Sequence, residues 1–476
     1  MPGDFSLLKC ISSMMVKQMQ SKVLILSLAA FIMAEGTAQK AGIDISGDFP
    51  QYWEYRGTPV LLLGGSDEDN LFQIPGLEQQ LDVLSSAGGN YIRNTMSSRD
   101  SGNVWAFEKD PETGRYDLNR WNGSYWERFQ RLLELTSERE IMVQVEIWAT
   151  FDFYRENWLK NPFNPACNIN YSAERTKLPV RVDSHPTWCE NPFFWSVPPQ
   201  LNNMPVLAYQ QRFVDKLLSY SLQYDNVLYC IDNETSVTAD WGRFWSEYIR
   251  KKAAEKGKKI HVTEMWDPHD LDHISHRETF DHPGTYSFVE ISQNNHQRGE
   301  NQWKNGLRQI ERLSRSGNLR PVNNVKTYGS WQGRHGGGTH NGIGSFIRSV
   351  LFGSAAVRFH RPPSGLGLGD TARAVIHSIR MATDSIRFFE AAPHNELLGE
   401  RQENEAYCRA VPGREYLVYF TGPGEVELDL QSPSRQFMIR RLDILTGQWS
   451  EIRPSRQNIL ALTSDRKHLM YLIRKK

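Results

Sequence analysis

The sequence predicts an α/β chain, a (β/α)8 barrel of the TIM type followed by a small antiparallel β-sandwich. Short apolar runs alternate with amphipathic stretches over most of the chain, the pattern of parallel strands joined by covering helices. There are eight such runs, the number that closes a barrel. Beyond about Pro393 the texture changes to brief alternating runs separated by turn residues, as in antiparallel sheets. At 476 residues the chain also exceeds one ordinary core, so a large domain with a smaller companion is expected.

Residues 1–38 have the order of a secretory signal: Lys17 and Lys22, an apolar run over 23–33, then Gly36-Thr37-Ala38. Cleavage is expected near Ala38, and a start at Met14 or Met15 gives the usual signal length. No later stretch reaches about 18 consecutive apolar residues, so the mature chain is expected not to enter a membrane. The barrel is expected over 39–392, with strands at 60–63, 91–94, 142–147, 227–231, 260–263, 286–291, 321–327 and 355–359. Helical faces fall between them, such as Phe129, Leu132, Leu133 and Leu135, or Phe213, Leu217 and Tyr220. The segment 148–204 has no period and is rich in Pro, Asn and aromatic residues; it should follow the third strand and overhang one face of the barrel. The sandwich is expected over 393–476, its turns marked by Gly422-Pro423-Gly424 and Thr446-Gly447.

Basic and acidic residues both number 55, so the chain lacks the positive excess that nucleic-acid and anionic-membrane binders show. Of five cysteines, Cys10 leaves with the signal. Cys167, Cys189, Cys230 and Cys408 have no metal-ligand spacing, so no metal site is expected among them; no other cofactor is expected. Cys167 and Cys189 share the long loop, where an oxidising compartment would let them bridge if their Cα separation permits. Cys230 sits in an apolar strand and reads as a buried inert thiol.

In such a barrel the chemistry belongs to side chains at the C-terminal ends of the strands. The fourth strand runs straight into Asp232-Asn233-Glu234-Thr235. Partial burial there can raise a glutamate pKa toward the range of a general acid; the alternative is a helix cap or an outward salt bridge. Three further glutamates stand at strand ends: Glu146 near Trp148, Glu264 before Met265-Trp266-Asp267, and Glu290, followed by the hydrogen-bonding run Ser292 to His296 with Asn294 at its centre. For Glu146 and Glu264 the alternative is a buried pair with an arginine such as Arg93. The seventh strand ends in Lys326-Thr327-Tyr328, and the eighth in Arg358-Phe359-His360-Arg361.

Asn233-Glu234 resembles the Asn-Glu pair at the end of the fourth strand in clan A glycoside hydrolases. That resemblance implies an asparagine contacting a sugar hydroxyl and a glutamate acting as acid/base. In layout the chain also resembles bacterial glycosidase-like barrels whose C-terminal module is known as the collagen-binding domain of a collagenase. Residues 442–449, running through Asp443 into Thr446-Gly447, are similar to a strand of that module. The resemblance implies an exported enzyme that hydrolyses glycosidic bonds in a polysaccharide or oligosaccharide, and carbohydrate as its partner.

The chain departs from that pattern at the seventh strand. Retaining enzymes of the clan place a nucleophilic glutamate there, and this sequence has Lys326. Hydrolysis normally needs two carboxylates, so Glu290 is expected as partner to Glu234, with Glu264 next. The spacing of strands four and six across the mouth favours inversion. Lys326, near Glu290, would hold that carboxylate ionised. Asn233, Glu146, Trp148, Trp266, Asn294, Lys326, Tyr328, Trp331, Arg358 and His360 are the expected substrate contacts. The 14 tryptophans and 18 tyrosines offer flat faces suited to sugar rings, or fill the core. The arginines and His335 of the last two strand ends suit an acidic or sulfated sugar, or form a salt-bridge lattice. Two other functions stay open: a carbohydrate-binding protein on an inactive barrel, motivated by Lys326, and a lyase or metal enzyme using His269, His273 and His276.

Overall fold

The computed structural model describes residues 42–184, 191–329, 337–432, 436–455 and 457–476. The expected signal, Cys189, Trp331 and His335 lie outside them.

Eight parallel strands form the centre: β1 (Leu62–Gly65), β2 (Tyr91–Thr95), β3 (Met142–Ala149), β4 (Val227–Asn233), β5 (Val262–Thr263), β6 (Val289–Glu290), β7 (Val322–Thr327) and β8 (Ala356–Phe359). They are ordered β5-β4-β3-β2-β1-β8-β7-β6. The seam between β5 and β6 is bridged where the Ser287 N–H donates to the Val262 carbonyl at 2.9 Å, which makes the sheet a nearly closed barrel. Helices α1 (Leu77–Ser86), α2 (Gly123–Glu138), α3 (Met204–Ser221), α4 (Ala239–Glu255), α5 (Gly299–Arg315), α6 (Gly338–Phe352) and α7 (Asp370–Asp384) wrap it. Each turns one apolar stripe inward; α2 buries Phe129, Leu132, Leu133 and Leu135, as its spacing requires.

The barrel opens with β1 at Leu62, because Thr58–Val60 belongs to an antiparallel meander with Ile43–Ile45 and Trp53–Tyr55. Trp53 from that meander plugs the barrel floor, donating its indole N–H to Asn323 Oδ1 at 3.0 Å. Gly64 is required where β1 meets β2: a Cβ there would stand 1.8 Å from the Tyr91 carbonyl oxygen. The long segment after β3 holds only short helices, Arg155–Trp158 and Ala173–Thr176. It is fixed by an aromatic cluster: Phe153 stacks on Phe193 at 4.4 Å, and Trp148 meets Phe193 and Phe213 at 5.4 Å. Cys167 carries a free thiol that donates to the Leu159 carbonyl at 3.1 Å.

Two antiparallel sheets follow. The first joins β9 (Ala392–Pro393), β11 (Ala406–Val411), β12 (Glu415–Phe420), β17 (Leu469–Lys475), β14 (Phe437–Asp443) and β15 (Gln448–Ser455); the second joins β10 (Leu398–Gly399), β13 (Gly424–Asp429) and β16 (Ile459–Ser464). Both contribute to one apolar cluster, separate from the barrel core, that includes Cys408, Val418, Val426, Leu462 and Ile473. The sheets are tied to the barrel by buried polar contacts. Arg409 donates to the Tyr52 hydroxyl at 2.6 Å and to the Leu351 carbonyl at 3.1 Å, and Ser378 donates to the Ile444 carbonyl at 2.8 Å.

Candidate active site

A cleft of about 370 Å³ opens at the C-terminal ends of the strands. A wider groove of about 1010 Å³ lies on the flank against α3, lined by Trp121, Tyr209 and Arg212 among others. It draws on none of the barrel strand ends, and we place the chemistry at the mouth.

Three carboxyl groups line the cleft, Glu234, Asp267 and Asp69. Glu234 follows the last residue of β4 with φ +58°, a left-handed conformation that costs a side-chain-bearing residue energy and is held here by its surroundings. The Thr150 hydroxyl donates to the Asn233 and Glu234 carbonyls and fixes that turn. The Glu234 carboxylate forms an ion pair with Lys326 Nζ, which also donates to Asn233 Oδ1 at 2.7 Å. Burial opposes its charge, but the Lys326 cation and hydrogen bond, then Arg93 and His296, hold Glu234 below the usual carboxylate range.

Asp267 has the opposite setting. Its N–H donates to the Thr235 carbonyl at 3.0 Å, which carries the chain past β5 to the rim. Its Oδ2 is buried and has no hydrogen-bond partner among the described residues. Burial first, and the negative charge of Glu234 second, push Asp267 up to about 7, against the pull of Lys326. One cleft therefore holds an ionised carboxylate, Glu234, and a carboxyl, Asp267, that gives up its proton only as pH rises through about 7. Such divergence is how a pair divides acid and base roles.

Asp69 anchors one wall. Arg93 Nη1 lies 2.8 Å from it and Arg361 Nε 3.1 Å, with Arg358 and His360 each at 3.7 Å. Burial raises its pKa, but Arg93, His360, Arg358 and Arg361 together hold it well below the ordinary range. The arginines of the last strand end thus belong to a salt-bridge lattice around Asp69. On the opposite wall His269 stacks on His296, ring centroids 3.5 Å apart, and Tyr328 meets His296 edge-on at 5.5 Å.

Of the residues singled out in the sequence, Asn233, Glu234, Lys326, Tyr328 and His360 line this cleft. Others do not. Glu290 lies beneath it inside the barrel, 1 % exposed; its carboxylate accepts from Ser292 N–H at 2.8 Å, from the Ser292 hydroxyl and from Gln144 at 3.3 Å. With β6 only two residues long, the rim is reached later, at Gln293 and His296. Lys326 accordingly pairs with Glu234, and its expected ion pair with Glu290 is replaced. Glu146 is a floor residue paired with Arg93 at 2.7 Å. Glu264 faces outward from the barrel toward α4, where it packs against Gly242 and the Tyr286 hydroxyl. Trp148 is spent on the aromatic cluster behind β3. Trp266 is 2 % exposed and is not among the cleft residues. Asn294 donates to the Gln302 carbonyl at 3.0 Å under the rim, and Arg358 donates to the Val325 carbonyl at 2.8 Å. His273 and His276 do not join His269: His276 Nε2 is engaged by the Pro268 carbonyl at 2.7 Å. Among the described residues no group of three or more His, Cys, Asp or Glu side chains is arranged to hold a metal.

Asp267 was the residue that strand-end reasoning passed over. The available signal was its position three residues past Glu264, just beyond the fifth strand.

The chain is similar to solved structures over most of its length. A structure described as a glycoside hydrolase aligns with a TM-score of 0.62 at 12 % identity, covering 92 % of this chain and 97 % of the other. A family 5 glycoside hydrolase from Bacteroides vulgatus aligns with a TM-score of 0.60 at 13 % identity, covering 91 % and 93 %. At these identities the likeness establishes a common fold, barrel and trailing sheets together. No family model matches the chain, and no curated protein matches it in sequence.

Proposed function

We propose that the chain is an exported glycoside hydrolase acting on a polysaccharide or oligosaccharide, with Asp267 as the proton donor and Glu234 as the ionised carboxylate. The observation that carries this reading is the placement of Glu234 and Asp267 in one strand-end cleft, the first paired with a cation and the second with a bare, buried oxygen. Asp267 Oδ2 donates its proton to the departing glycosidic oxygen. Glu234 either attacks the anomeric carbon or takes a proton from a water that does so. Lys326 keeps Glu234 charged and turned into the cleft. The fold shared with glycoside hydrolases supports the reading. So does the signal-like start of the sequence for export, and among the described residues no helix is long and apolar enough to cross a membrane. The C-terminal sheets brace the barrel through Arg409 and Ser378.

The test is a product assay on a panel of plant and algal oligosaccharides with the wild type, Glu234→Gln and Asp267→Asn. Cleavage that both substitutions abolish is the expected result. A second reading follows from Lys326: a lysine on the only ionised carboxylate of the pair leaves a site that binds sugar without attacking it. Calorimetric binding on the same panel with no product would favour that reading.

A further inference from the structure

Between β4 and β5 the backbone ladder stops early and a side chain replaces one rung. The strands pair as Val262 with Tyr229 and Thr263 with Cys230. At the next step Glu264 Oε1 accepts the Asp232 N–H at 2.9 Å and the Met265 N–H at 3.1 Å. A carboxyl oxygen there satisfies backbone donors that a carbonyl would otherwise serve. The ladder then resumes, with the Thr235 N–H donating to Met265 O at 2.8 Å and the Asp267 N–H to Thr235 O at 3.0 Å. Glu234 and Asp267 are therefore carried by the two segments immediately beyond the Glu264 rung.

The far side of the same carboxyl meets α4. A Cβ on Gly242 would stand 2.8 Å from Glu264 Oε2 and 2.4 Å from the Tyr286 hydroxyl, so the helix approaches this closely because residue 242 is glycine. Asp232, whose N–H that carboxyl accepts, is fully buried, and its two carboxyl oxygens and Glu264 Oε2 have no hydrogen-bond partner among the described residues. Among the described residues the other titratable groups that face the pair are acidic or neutral: Glu146 from β3, the Cys230 thiol from β4 and the Tyr286 phenol ahead of β6. Two carboxyls confined together without a cation hold at least one proton between them.

We propose that Asp232 and Glu264 form a proton-sharing pair that positions the cleft carboxyls, tying β4 to β5 so that Glu234 and Asp267 face the same space. This rests on the reading of those two as the reacting pair, and it assigns Glu264 a place behind the chemistry. With the proton present, Glu264 holds its rung. When it leaves, two like charges in one buried space part the strands and move both rim segments. Burial raises Asp232 to about 8, and burial together with Asp232 raises Glu264 well above the ordinary range. The folded state then keeps a proton that the unfolded chain releases, so stability falls as pH rises from the usual carboxylate range through about 8.

Two measurements on the full chain test this without any substrate. Thermal unfolding from pH 5 to pH 9 is expected to show a smaller alkaline fall in melting temperature for Asp232→Asn and Glu264→Gln than for the wild type. Deuterium uptake over residues 228–236 and 260–268, corrected for intrinsic base catalysis, is expected to rise several-fold above pH 8 in the wild type. It should stay flat in Glu264→Gln, whose amide oxygen keeps the rung, and be high at every pH in Glu264→Leu. If the leucine variant does not fold, the two amide variants decide. Equal pH dependence in wild type and Glu264→Gln overturns the proposal. So does a difference in melting with no difference in uptake, since the pair would then be structural only. Failure of sugar cleavage leaves these outcomes legible on their own.

Discussion

The floor and the mouth of this barrel are both built from buried carboxyl groups, and they differ in what answers those groups. On the floor Glu146 is neutralised by Arg93 and Glu290 is hydrogen-bonded on both oxygens by Ser292 and Gln144. At the mouth Glu234 has a cation, while Asp267 keeps a buried oxygen without a partner and the charge of Glu234 close by. Glu290 and Asp267 are both pushed to about 7 by burial, yet only Asp267 opens onto space a substrate can enter. A raised pKa in a barrel of this kind marks enclosure; it becomes chemistry where a cleft meets it.

The sharpest way to break this contrast is to remove the mouth carboxyls one at a time. Asp267→Asn and Glu234→Gln should each lower turnover by about 10²–10⁴-fold, whereas Glu290→Gln should leave the rate close to wild type in the same product assay. A Glu290 variant as inactive as the other two would move the site to the floor. The floor should instead show itself in stability. Arg93→Met leaves Glu146 a buried charge without its ion-pair partner and takes one of several cations from Asp69, and is expected to cost about 3–5 kcal/mol, measured by denaturant unfolding; a loss below about 1 kcal/mol would mean the lattice is not holding the wall.

The pH dependence should separate the two mouth residues. Glu234 must be charged, and its pKa is lowered, so the acid limb of the rate profile lies below the ordinary glutamate range. Asp267 must be protonated, so activity falls as pH rises through about 7. Lys326→Met removes the largest influence holding Glu234 down and a smaller one holding Asp267 down, so it should move the acid limb upward and the alkaline limb less far in the same direction. An unchanged profile would remove Lys326 from the account.

The eight strands were legible because each is a short apolar run ending in polar residues. Their limits were less so: 286–291 reads as one strand, but only Val289–Glu290 pair as such. That shortening misplaced Glu290, since a rim position was inferred for a side chain that folds back onto Ser292 below it. The meander carrying Trp53 escaped notice because three-residue strands leave no periodicity to detect. Glu234 stood out because β4 delivers an Asn-Glu directly at its end. Asp267 did not, because it reaches the rim through an extended segment held by Thr235 and Glu264, contacts made across the fold and invisible in linear order. Trp148 illustrates the opposite error: an aromatic next to a strand end suggests a sugar platform, and here it serves the packing of the long segment after β3.

The central claim is that one cleft keeps two carboxyls in opposite protonation states. Carbon-13 titration of the side-chain carboxyls, with Asp267 identified by its absence from the Asp267→Asn spectrum, tests it directly. The account predicts a midpoint for Asp267 near 7 that falls in Glu234→Gln. A midpoint in the ordinary aspartate range, unmoved by that substitution, would contradict it.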